Sequence, residues 1–121
     1  MKLLHNYVSL GMVTLLAEAS ACAKTAGINA QIFVDVLSMG GWGASLERLK
    51  PFLANGDSSG LRFSVANAMK DLTYYNTMAQ DVHADRTIAD AVKRTLELAC
   101  QETNPQDLLQ NIISVIAKRK I

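Results

Sequence analysis

The chain has 121 residues, 50% of them hydrophobic and 19% charged, with 12 basic against 11 acidic residues and a net charge of +1. That composition excludes a disordered chain, and the length suits one compact domain that can bury a core without disulfide or metal staples. The balanced charge gives no general attraction to nucleic acid or acidic lipid, so neither is an expected partner.

Residues 1–21, MKLLHNYVSLGMVTLLAEASA, match a secretory signal in outline, with Ala19-Ser20-Ala21 as a cleavage site. Two features argue against it. His5 and Asn6 interrupt the point where an apolar core should begin, and the pattern continues through Glu18 to Lys24. Leu4, Val8, Met12, Leu15, Leu16, Ala19 and Ala23 recur at spacings of three and four, which is one helical face. The segment reads as a helix from about Lys2 to Ala26, stopped by Gly27. Only residues 3–17 are free of charge, short of the roughly 20 needed to cross a membrane. The expected location is the cytoplasm. The helix is apolar over much of its circumference, so it should pack centrally or against another chain.

Asn29 can cap a second helix carrying Ile32, Phe33, Val36 and Leu37. Gly40-Gly41-Trp42-Gly43 then breaks the chain as a helix–helix connection, and Ser45 can cap a third helix with Leu46, Leu49 and Phe52. Residues 55–60, Asn-Gly-Asp-Ser-Ser-Gly, form a loop. A fourth helix begins near Ser64 with the stripe Val65, Ala68, Met69, Leu72 and Ala79. A fifth follows Asp85 with Ile88, Ala91, Val92, Leu96 and Ala99. Asn104-Pro105 should open a sixth, with Pro105 at the first helical position and Leu108, Leu109, Ile112, Ile113 and Ile116 buried. No segment alternates long enough to be a strand. The expected fold is all-α, a single helical domain of about six helices.

The sequence holds no GxGxxG, no phosphate loop, no HExxH, no CxxC and no GxSxG. Cys22 and Cys100 have neither metal nor disulfide spacing, and no metal site is expected. Cys22 lies near an apolar face and reads as a small core residue, and Trp42 as a packing anchor. One cluster stands out, Lys2-Leu3-Leu4-His5-Asn6. On a helix Lys2 and Asn6 share a face and His5 flanks it. An ammonium, an imidazole and an amide thus converge beside an apolar segment, a setting in which lysine can serve as general acid or base.

Lys-x-x-His-Asn opening a long apolar helix resembles the catalytic helix of the β-hydroxyacid dehydrogenase family, which includes 3-hydroxyisobutyrate and 6-phosphogluconate dehydrogenases. Further segments match in order. Leu16-Ala17-Glu18-Ala19 followed by Ala26-Gly27-Ile28-Asn29 is similar to the family's acidic-and-alanine segment before a glycine turn. Residues 63–72, FSVANAMKDL, resemble its Phe…Lys-Asp-Leu segment, including the spacing from Phe63 to Lys70. Asp107-Leu108-Leu109 resembles the start of its last helix.

The resemblance implies that residues 1–121 are the C-terminal substrate and dimerisation domain of such an enzyme, without the N-terminal Rossmann domain. It implies that Lys2 is the catalytic general acid/base, that Asn6 and His5 bind substrate, and that Lys70 contacts the cofactor, NAD or NADP. Asp71 is implied to be structural. Many members with small substrates carry a second asparagine where His5 stands. The His-Asn pair resembles the 6-phosphogluconate branch, whereas the length fits the 3-hydroxyisobutyrate branch. The implied substrate is a small 3-hydroxy acid or its semialdehyde. The implied partners are a Rossmann domain and a second copy, and the chain is expected to be inactive alone. The competing reading is a non-catalytic helical interaction domain, an exported one included, in which Lys2, His5 and Asn6 are surface or signal residues.

Overall fold

The structure is a computed structural model and describes residues 1–41 and 43–119, without the side chains at positions 3–7, 9, 11, 13, 40 and 41. The described residues are helical with no β-strand, as expected. In order they form α1 (Lys2–Thr25), α2 (Ala30–Val36), a π-turn (Leu37–Gly41), α3 (Ala44–Asn55), α4 (Val65–Asp81), α5 (Thr87–Cys100), a 3₁₀ turn (Leu109–Asn111) and α6 (Ile112–Lys118).

Local chemistry sets most of these boundaries. Gly27 takes the left-handed conformation at φ +80° that ends α1. Asn29 Oδ1 accepts from Gln31 N at 2.8 Å and starts α2, and Ser64 Oγ accepts from Asn67 N at 3.1 Å and starts α4. Asp85 Oδ1 accepts from Thr87 N at 2.8 Å ahead of α5. That N–H bond holds the Asp85 carboxyl below the usual aspartate range. The contribution is therefore present above the unfolded-state pKa and is lost as the pH falls through the lowered folded one.

Two expected boundaries are corrected. Ser45 does not cap α3: the helix starts at Ala44, two residues earlier than that cap would set it, behind Gly43 and with no side-chain cap. Pro105 does not open the sixth helix, which begins at Ile112. Asn104 instead folds an Asx turn, its Oδ1 accepting from Gln106 N at 2.9 Å. The carbonyls that follow serve α4: Pro105 O accepts from Ala66 N at 2.8 Å and Asp107 O from Val65 N at 2.9 Å. Leu109 N donates to Phe63 O at 2.7 Å, and an antiparallel bridge pairs Ser64 with Leu108. A helix begun at Pro105 would turn those carbonyls inward and leave the first N–H groups of α4 without acceptors.

The core lies where α4 packs on α5, with α6 against α5. Val65, Ala68 and Ala79 of α4 meet it, with Ala89, Leu96 and Ala99 of α5. Ala91 is exposed instead, and Ile113 and Ile116 are largely exposed while Val115 and Gln110 are buried. Asn76 also lies on the buried face of α4 and donates to Asp90 Oδ1 of α5 at 3.1 Å.

Helix α4 closes with His83 at φ 58°, a left-handed conformation costly for a residue with a Cβ. His83 N donates to Gln80 O and Ala84 N to Ala79 O, the paired bonds of a Schellman cap. His83→Gly is expected to raise the unfolding free energy by about 1 kcal/mol. A lower thermal midpoint would mean that the imidazole holds a contact outweighing the backbone cost.

Candidate functional site

Lys2, His5 and Asn6 all lie within α1, so the helical register that sets them on adjoining faces is present. Lys2 is exposed. The side chains of His5 and Asn6 lie outside the described residues, as does Trp42. Lys70 and Asp71 are exposed in the second turn of α4. Among the described residues, the ion pairs are Lys50–Glu47 and Arg94–Glu97, and neither Lys2 nor Lys70 takes part in one.

The anchor of α1 is Glu18. Its Oε1 accepts from Ile88 N at 2.8 Å and its Oε2 from Ala89 N at 2.9 Å. A carboxylate thus satisfies two free N–H groups at the positive end of α5, a charge-assisted cap delivered from 70 residues away. One turn later Cys22, 2% exposed, sets its Sγ 4.0 Å from Met78 Sδ of α4. Cys22 is a core residue, as expected. Burial, the contact with Cys22 and the nearby Glu18 charge push the Tyr75 phenol up to about 12. Tyr75 therefore stays protonated at neutral pH.

These contacts tie the C-terminal half of α1 to the corner where α4 ends and α5 begins. At 1.5 Å per residue, Lys2 stands about 24 Å along the axis from Glu18. Lys2, His5 and Asn6 share the start of α1, and Lys70 lies on a different helix, in the second turn of α4. The N-terminal half of α1 carries exposed Val8, Leu10, Met12 and Leu15, with Leu10 at 67% exposure.

The residues suited to a dinucleotide are few. No strand–glycine–helix unit occurs among the described residues, and the glycine-rich stretch begins in the π-turn between α2 and α3. Lys70 fits as a single cationic contact to a phosphate-bearing cofactor. Among the described residues no group of His, Cys, Asp or Glu could hold a metal ion, and no helix is long and apolar enough to cross a membrane.

A cavity of about 440 Å³ lies elsewhere, between α3, the segment entering α4, and α6. Sequence reading missed it and the Glu18 cap alike. Both depend on contacts between distant segments that no spacing rule encodes.

A family model described as NAD-binding of NADP-dependent 3-hydroxyisobutyrate dehydrogenase matches residues 1–116. Neither a curated protein nor a solved structure matches the chain.

Proposed function

Because the chain belongs to the 3-hydroxyisobutyrate dehydrogenase-like family of NAD(P)-dependent oxidoreductases, we propose that it is the helical substrate and dimerisation domain of a dehydrogenase acting on a small 3-hydroxy acid or its semialdehyde. The carrying observation is exposed Lys2 at the start of α1, in a match that spans residues 1–116. A bound nicotinamide supplies hydride acceptance or donation. Lys2 Nζ takes the proton from the substrate hydroxyl oxygen as the carbonyl forms, and returns it in the reverse direction. Asn6 and His5, on adjoining faces of the same turn, orient the substrate. Lys70 contacts the cofactor.

The rest of the cofactor site belongs to a Rossmann domain, since the described residues provide no phosphate cradle. In this reading that domain covers the Lys2 turn at the start of α1 and supplies the desolvation that a proton-transferring lysine needs. The reading places the enzyme in the cytoplasm. Its test is nicotinamide reduction by the chain joined to such a domain.

The N-terminal half of α1 and its neighbour α2 also support a homodimer. Val8, Leu10, Met12 and Leu15, with Ile32, Val34 and Val36 of α2, leave a wide apolar surface exposed. Light scattering is expected to give twice the chain mass at micromolar concentration. A monomer that persists at high concentration would remove the second copy from the account.

A further inference from the structure

We propose that Met78 is an oxidation site for small peroxides, and that its conversion to the sulfoxide uncovers the buried Cys22 thiol at the joint between α1 and α4. Met78 is 42% exposed, so a small oxidant reaches its side chain from solvent. Its Sδ meanwhile accepts the Cys22 S–H at 4.0 Å, and Cys22 is 2% exposed. One side chain thus reaches from solvent to a buried thiol on another helix. Met1, Met12 and Met39 are exposed as well, but among the described residues no other methionine sulfur accepts a hydrogen bond. Oxidation at those positions alters a surface, whereas at Met78 it alters a contact between helices.

The step balances with hydrogen peroxide as the oxidant. An S–O bond forms at Sδ as the peroxide O–O bond breaks. The sulfur gives up two electrons, and the peroxide leaves as water. The product is polar where the thioether was apolar. A thioether is a weak acceptor matched to a weak thiol donor. The sulfoxide oxygen needs stronger donors than Cys22 supplies, and the hydroxyl of Tyr75, one turn earlier on α4, is already engaged with Cys22. Held against the buried face the new oxygen would be underbonded. It is satisfied by turning out to water, which takes the side chain off Cys22.

Glu18 still ties α1 to Ile88 N and Ala89 N at the start of α5, so the joint opens at Cys22 while the helices stay together. Burial guards Cys22 from the same oxidant until then, which gives the events an order, Met78 first and the thiol after it. Neither residue belongs to the Lys2 turn, so this device stands or falls separately from the proposed hydroxyl chemistry.

The test treats the full chain with hydrogen peroxide and then follows labelling by an aromatic disulfide reagent. The chain carries Cys100→Ser, which leaves Cys22 as its one thiol. Trypsin releases residues 71–86, which hold Met78 and no other methionine, so mass spectrometry reads its sulfoxide directly. The expected result is one added oxygen in that peptide and Cys22 labelling several-fold faster than in the untreated chain, both reversed by a methionine sulfoxide reductase. Met78→Leu keeps an apolar cover that peroxide does not oxidise, and its Cys22 should stay slow to label after the same treatment. An unmodified peptide in a chain fully oxidised at Met39 overturns the proposal, as does Met78 sulfoxide with unchanged labelling. Equal acceleration in Met78→Leu overturns it by placing the cause elsewhere. Where that variant labels fast before treatment, the reductase decides: fast labelling that persists after Met78 is restored overturns the proposal too.

Discussion

Lys2→Ala is expected to lower the rate constant of the chemical step about 10²–10⁴-fold, the contribution typical of a positioned acid/base group. The change should fall on kcat, because the proton moves only as the carbonyl forms. Cofactor affinity should remain near that of the parent, since the proposed cofactor contact is Lys70 of α4 and not Lys2. Lys70→Ala should show the converse, a weaker cofactor affinity with a smaller loss in kcat at saturation. Stopped-flow measurement of nicotinamide reduction in the assembled enzyme separates the two. A near-normal rate constant for Lys2→Ala would take the lysine out of its role, whatever its position on the helix.

Glu18→Ala is expected to destabilise the fold by about 2–4 kcal/mol, one of the largest single-residue losses the structure predicts. Two mechanisms add. The Ile88 and Ala89 N–H groups lose their acceptors, and Ala89 is buried, so water reaches it poorly. The change also cuts the charged tie between α1 and the α4–α5 pair. Glu18→Gln retains one acceptor oxygen and should cost roughly half as much. Urea denaturation checks the ranking. Equal midpoints for all three proteins would mean that solvent replaces the carboxylate at no cost.

This second prediction also marks what the sequence could and could not show. Asn29, Gly27 and Ser64 act within four residues of their own helix, so local rules place those boundaries. Glu18 reads in sequence as a lone acid on an apolar stretch, because its partners lie 70 and 71 residues away. Pro105 satisfied every local rule for a helix start, yet the N–H groups of α4 claim the carbonyls of that segment. Asn76 falls on the α4 stripe at helical spacing although it is polar; its Nδ2 donates to Asp90 Oδ1, while its Oδ1 is buried without a partner.

The candidate site divides in the same way. Lys2, His5 and Asn6 belong to one helical turn, so their grouping follows from the 3.6-residue period alone. Where Lys70 stands relative to them does not, because Lys70 belongs to a different helix, α4. The apolarity of α1 was legible, but its outcome was not. Periodicity shows that a face is apolar without showing whether the same chain covers it, and Val8 at 54% exposure lies uncovered here.

The most direct test of the central claim measures reduced nicotinamide formed by this chain with small 3-hydroxy acids, alone and joined to a Rossmann domain of the same family. The account predicts no turnover by the chain alone, turnover in the joined protein, and loss of that turnover in Lys2→Ala. Turnover by the isolated chain, or a joined protein that binds cofactor yet oxidises none of these acids, would contradict it.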